Sequence, residues 1–291
     1  MIPLAKILEL RKKRSAAVAC DAADDTECTK DDPSTCRIHG KKALAETDAE
    51  DKSKRSHVNP YGGKPMSVDE AILTLLKESP LIVCPNADKT MEDDRLTQEE
   101  KDAAEEAKIL FDEGKEVDIG KSVTVLGETF AWMRKQFPNI RIPRISAFII
   151  AKPKRETSPA VTFQVEHEES HARYNAIGFS ATDSSVPNDY SFNHGDFRND
   201  YDYARHEIGH LIAINEGVGD SQFFQSVVEE IGEDAFAKEM AKVSKCAMRD
   251  IPHGEALAEC FSLYTSPDYD GSLDDEIESF IKVMLTGEEE P

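Results

Sequence analysis

The chain has 291 residues and a formal net charge of −22, enough length for two modest domains. So acidic a surface repels polyphosphate and anionic lipid, which argues against a nucleic-acid binder and against docking on anionic membranes. No run approaches the roughly 20 apolar residues that a bilayer span requires.

In chain order, Met1 to Leu10 precede the basic cluster Arg11-Lys12-Lys13-Arg14, the reverse of a secretory signal. Ser15 to Ala19 are too few for the apolar core of a lipoprotein signal before Cys20. A cytoplasmic or virion-associated protein is therefore expected over a classically secreted one, with signal-independent export left open. Residues 2–19 read as a short amphipathic or basic helix, and residues 20–65 as a loop-rich or partly disordered polar arm. In that arm Cys20, Cys28, Cys36 and His39 supply a Cys₃His set suited to one structural metal. Six cysteines at this length do not make a disulfide scaffold, so a reducing compartment is expected.

Ser67-Val68-Asp69-Glu70 matches a capping box and predicts a helix, as does Thr97-Gln98-Glu99-Glu100 ahead of a charged helix ending near Gly114. Between them Cys84 follows Leu81-Ile82-Val83 and reads as a buried thiol, and residues 85–96 read as a polar connection. Residues 1–117 thus form a helical and loop-rich amino-terminal region, suited to docking an assembly partner. From about residue 118 the texture changes. Val123 to Phe137 has helical apolar spacing and stops at Pro138. Ile145 to Ile150 is apolar and β-branched like a buried strand; Val161 to Val165 and Ala172 to Phe179 suggest two more. Most of the chain after about Tyr201 reads as helix. Helix, strands and then helices imply an α+β domain over residues 118–291.

His206-Glu207-Ile208-Gly209-His210 places two histidines four apart, hence on one helix face, where both imidazoles reach one metal. Glu207 then lies beside the metal, placed to take a proton from a water that zinc makes acidic. Ala204, Ile208, Leu211, Ile212 and Ile214 supply apolar positions, Gly209 allows close approach of backbone or substrate, and Gly217 is a stop signal. The pattern recurs at His167-Glu168-Glu169-Ser170-His171, between two predicted strands and without an apolar stripe to anchor a helix. A solvated hairpin loop is the better reading there, as a solvated turn is for His194.

A catalytic zinc site takes three protein ligands and keeps one position open. Downstream candidates are His253, Glu255, Glu259, Asp268 and Asp270. Residues 253–265 read as a helix with Glu255 and Glu259 on one face, so one carboxylate can bind metal while the other orients a histidine through its second nitrogen. Helical spacing leaves open which does which.

His-Glu-Ile-Gly-His followed by Glu255-Ala256-Leu257-Ala258-Glu259-Cys260-Phe261 resembles the gluzincin peptidases of the anthrax lethal factor and Pro-Pro endopeptidase type. The resemblance covers residues 118–285. It implies a zincin-like metallopeptidase domain with a small mixed sheet and active-site helices. It makes Glu255 the third ligand and Glu259 the support of the ligand shell. It implies that the strand before the catalytic helix, here Ala172 to Phe179, holds extended substrate. Where the family usually carries an oxyanion-stabilising tyrosine, this chain reads Met248-Arg249-Asp250, which passes that role to Arg249, His253 or Tyr264. The expectation is a zinc endopeptidase acting on a protein or peptide, with His206, His210 and Glu255 as ligands and Glu207 as base. The competing expectation is a structural or assembly protein, for instance of a virion, whose zincin-like domain turns over little or nothing.

Overall fold

A computed structural model gives the fold and describes residues 59–112, 115–154, 160–166, 172–181, 199–215, 220–244, 247 and 255–286. The basic amino-terminal stretch, Cys20, Cys28, Cys36 and His39, the second motif at His167–His171, His194, Arg249 and His253 lie outside the described residues. The chain divides into two units, residues 1–56 and 57–291, and every described residue belongs to the second.

Helix α1 (Val68–Glu78) starts as its sequence requires: Ser67 Oγ accepts from the Glu70 N–H and the Glu70 carboxylate accepts from the Ser67 N–H. Strand β1 (Leu81–Cys84) follows, buried at every position. Burial pushes the Cys84 thiol pKa up to about 12, so it is the inert buried thiol expected. The stretch expected to be only a polar connection instead contains β2 (Lys89–Glu92), antiparallel to β1. It is an edge strand in which only every other side chain is partly covered, so it carries no apolar run to announce it.

Helix α2 (Gln98–Ala107) has the second capping box, Thr97 with Glu100. It ends well before Gly114, passing through a 3₁₀ turn at Lys108–Leu110 into the two-residue strand β3 (Phe111–Asp112). Phe111 leaves the helical path because its ring is buried against the backbone of Gly178, where an added Cβ would lie 2.1 Å from the ring. Helix α3 (Ile119–Gln136) is capped by Asp118, which accepts from the Lys121 N–H, and stops before Pro138 as predicted.

Strands β4 (Ala147–Ile150), β5 (Lys152–Pro153), β6 (Ala160–Glu166) and β7 (Arg173–Phe179) complete the β structure. The main sheet runs β2-β1-β4-β7-β6, with β1, β4 and β7 mutually parallel and the outer strands antiparallel to their neighbours. β3 and β5 form a separate antiparallel pair. Because β1 pairs with β4, the sheet draws on both sides of residue 118, and that boundary does not divide the fold. Leu81, Val83, Ala147, Ile149 and Ala176 point to one face, against Ala104 and Ala107 of α2 and Phe111. Phe148 points to the other, edge-on to Phe130 of α3.

The remaining described elements are helices: α4 (Asp200–Asn215), α5 (Asp220–Ile231), α6 (Glu233–Val243), α7 (Glu255–Tyr264) and α8 (Asp275–Thr286). The result is an α+β fold with a small mixed sheet, and among the described residues no helix is long and apolar enough to cross a membrane. Helices α1 and α3 meet at Gly127, where an added Cβ would lie 2.7 Å from Ala71 Cβ and 2.8 Å from its Cα. Gly127→Val cannot be relieved by a rotamer change, because backbone stands in the way. We expect it to lower unfolding free energy by about 1–3 kcal/mol in urea titrations; an unchanged midpoint would contradict this packing.

Candidate metal centre

Helix α4 is anchored at its start. Asn199 Oδ1 accepts from the Tyr201 and Asp202 N–H groups, and Asp202 Oδ2 accepts from the Asn199 N–H. From there the helix runs buried at every position from Tyr201 to Gly209.

Its principal neighbour is α7. Ser262 meets Asp202, Glu259 meets His206, and Glu255 meets both His206 and His210. Rising numbers on one helix face falling numbers on the other, so the two run antiparallel. The approach is close at Gly209: a Cβ there would lie 3.0–3.1 Å from Phe261 atoms. The glycine thus serves helix–helix contact with the Phe261 side chain.

The helix pair brings the expected ligands together. His206 Nε2 lies 3.0 Å from Glu255 Oε2 and 2.9 Å from His210 Nε2, and His210 Nε2 lies 3.6 Å from the same carboxylate oxygen. One ligand atom from each residue falls within 4.8 Å of the other two, a set able to hold a metal ion. On its other side, His206 Nδ1 lies 2.9 Å from Oε1 of the fully buried Glu259.

His206 is therefore flanked by a carboxylate at each ring nitrogen. A neutral imidazole carries one N–H and satisfies one of the two. With that proton on Nδ1 toward Glu259, the lone pairs of His206 Nε2 and His210 Nε2 and a Glu255 oxygen converge on one point, and a cation there removes their repulsion. Burial raises the Glu255 pKa, but hydrogen bonds and charge from the two histidines outweigh it and hold the carboxyl below the usual range. The side chains of His210 and Glu255 are 21% and 35% exposed against 7% for His206, so the cluster is closed on one side and open to solvent on the other.

Glu207, the residue next to His206, is buried, and among the described residues its Oε2 has no hydrogen-bond partner. Its backbone carbonyl accepts a 2.9 Å hydrogen bond from Thr162 Oγ1 of β6. This fixes the helix against the edge of the sheet. The strand expected to hold substrate, Ala172 to Phe179, is corrected here. It is β7, paired with β4 on one side and β6 on the other, so its backbone groups are taken. The strand with a free edge among the described residues on that side is β6.

Tyr264 is also corrected. It ends α7, roughly two and a half turns or about 13 Å along the helix from Glu255. There it packs on Phe137 and Tyr269 and lines a cleft of about 450 Å³ away from the ligand cluster. Sequence reasoning missed Asp202 and Ser262, although they lie one turn beyond His206 and Glu259 on the same helix faces. Comparison of the chain with protein-family models, curated proteins and solved structures finds no match.

If Glu259 orients His206, Glu259→Gln should weaken binding of a divalent transition ion by about 10-fold or more. Chelator competition on the folded variant measures this, and a wild-type affinity would remove Glu259 from the site.

Proposed function

We propose that the chain is a zinc-dependent endopeptidase whose centre consists of His206, His210 and Glu255, with Glu207 as general acid–base. The observation that carries this reading is the convergence of three ligand atoms on one point, with a buried carboxylate on the adjacent residue. The resemblance to gluzincins in the two motifs supports it. The donor set, two imidazole nitrogens and one carboxylate oxygen, suits zinc, and tetrahedral bonds of about 2.0–2.1 Å place ligand atoms about 3.3 Å apart, close to the separations found.

Zinc held there would acidify a water and polarise a scissile carbonyl. The protein's own groups do the rest. Glu207 takes the proton of the attacking water and returns it to the leaving amine; its burial keeps bulk water from competing for that proton. Glu259 holds the ring of His206 from behind. β6, the outermost strand of the sheet among the described residues, would offer backbone donors and acceptors to an extended peptide, at a height fixed by the Thr162 tie to Glu207. With Tyr264 excluded by position, Arg249 and His253 remain as the groups suggested for stabilising the oxyanion.

Glu207→Gln separates binding from chemistry. It should retain stoichiometric zinc by metal analysis while peptide cleavage falls by about 10²–10⁴-fold. Full activity would refute the assigned base. Zinc retention in wild type with no turnover of any peptide in a proteome-derived library would favour the assembly role.

A further inference from the structure

Metal centres tolerate little error between the elements that carry their ligands, and here the ligands come from two helices. Gly209 and Phe261 set how closely α4 and α7 approach. They do not set sliding or rotation, since a glycine against a ring offers no directional bond. Directional bonds between the two helices come from Arg205 and Ser262.

Arg205 is among the most buried side chains of the protein, 1% exposed, and its guanidinium is satisfied in three directions. Nε donates to the Ser262 carbonyl of α7 at 3.1 Å, Nη1 to the Tyr61 hydroxyl at 3.0 Å, and Nη2 to Asp202 Oδ1. Ser262 answers by donating Oγ–H to the Asp202 carbonyl at 2.8 Å. Two crossed hydrogen bonds therefore tie α4 to α7 one turn from the His206–Glu259 contact.

Tyr61 closes the assembly from the segment ahead of α1. Its hydroxyl donates to Thr129 Oγ1 of α3 at 3.2 Å, and its ring stacks on Trp132 at 5.0 Å and stands edge-on to Tyr201 at 5.3 Å. The Arg205 guanidinium is charged, as an arginine is in any protein, and Asp202 and the Tyr61 hydroxyl face it in its buried position. An apolar side chain would fill this space without the cost of burying a charge; what it would lose is direction.

We propose that Arg205, locked by Tyr61, is a positioning residue that sets the register between the two ligand-bearing helices, so that Glu255 and Glu259 meet His206. This rests on the metal-centre reading above. It also assigns residues around Tyr61, expected to belong to a polar arm, a part in shaping the site.

The test compares wild type, Arg205→Met, Arg205→Lys and Tyr61→Phe. Far-UV circular dichroism checks the fold, chelator competition gives zinc affinity, and the visible spectrum of the Co²⁺-loaded protein reports ligand geometry. Arg205→Met should keep its helices, bind zinc about 10- to 100-fold more weakly and lose the tetrahedral Co²⁺ band intensity. Tyr61→Phe, which keeps the stacked ring and removes only the hydroxyl, should shift both readouts the same way by less, and Arg205→Lys should not restore them because one ammonium cannot reach three directions. Wild-type affinity and an unchanged Co²⁺ spectrum in folded Arg205→Met would overturn the proposal. If that variant does not fold, the same result in Tyr61→Phe and Arg205→Lys would overturn it. Wild-type protein that binds neither ion would refute the metal centre itself, an outcome distinct from intact binding that ignores Arg205.

Discussion

The close antiparallel crossing of α4 and α7 is the constraint on which the site depends. Two helices whose side chains interdigitate ordinarily keep their axes 8–10 Å apart. At Gly209 there is no side chain to interdigitate, and Phe261 occupies the space a Cβ would need. Short ligands gain from this. A glutamate and a histidine projecting from facing helices meet head to head at 3.0 Å, without a loop having to carry either one. Rigid elements hold such geometry better than loops do, because their rotamers are fixed by packing on both sides.

Electrostatics bears on what the meeting point could hold. A histidine between two carboxylates has two stable resolutions, an imidazolium bonded to both or a neutral ring with a cation at one nitrogen. The first would account for His206 alone. His210 Nε2 lies 2.9 Å from His206 Nε2 and faces the same Glu255 oxygen, so three polar groups crowd one point. Under the proposed centre, a cation at that point would satisfy all three groups at once. That centre would also fit the gradient of exposure, with Glu259 sealed behind the ring and Glu255 toward solvent.

Local signals in the sequence translated into structure more fully than tertiary ones. Ser67 with Glu70 and Thr97 with Glu100 start helices where expected, because a capping box needs nothing beyond four residues. The strand β2 escaped notice because Lys89-Thr90-Met91-Glu92 belongs to a polar sheet edge, and its pairing with β1 is not written in its own pattern. Helical spacing placed Glu255 and Glu259 on one face. Which of them reaches which nitrogen of His206 depends on the antiparallel register of α7, a property of the helix pair. Tyr264 has the chemistry of an oxyanion-stabilising group but lies about 13 Å along the helix from Glu255. The resemblance gave the substrate-holding role to Ala172–Phe179, whereas β6 doubles back outside that strand and covers its edge.

The way α4 is buried explains why its neighbours were hard to read. Three consecutive residues reach in three directions, since each step around an α-helix is about 100°. Arg205 reaches Tyr61 and the end of α7, His206 faces the carboxylates, and the Glu207 carbonyl takes the hydroxyl of Thr162 from β6. A helix covered all round needs no apolar stripe, and its polar residues are matched one by one to partners distant in sequence. Each match costs desolvation that a leucine would avoid. A fold that keeps an arginine, an aspartate and a glutamate inside its central helix has therefore given up easy packing for fixed directions, and those directions converge on the residues around His206.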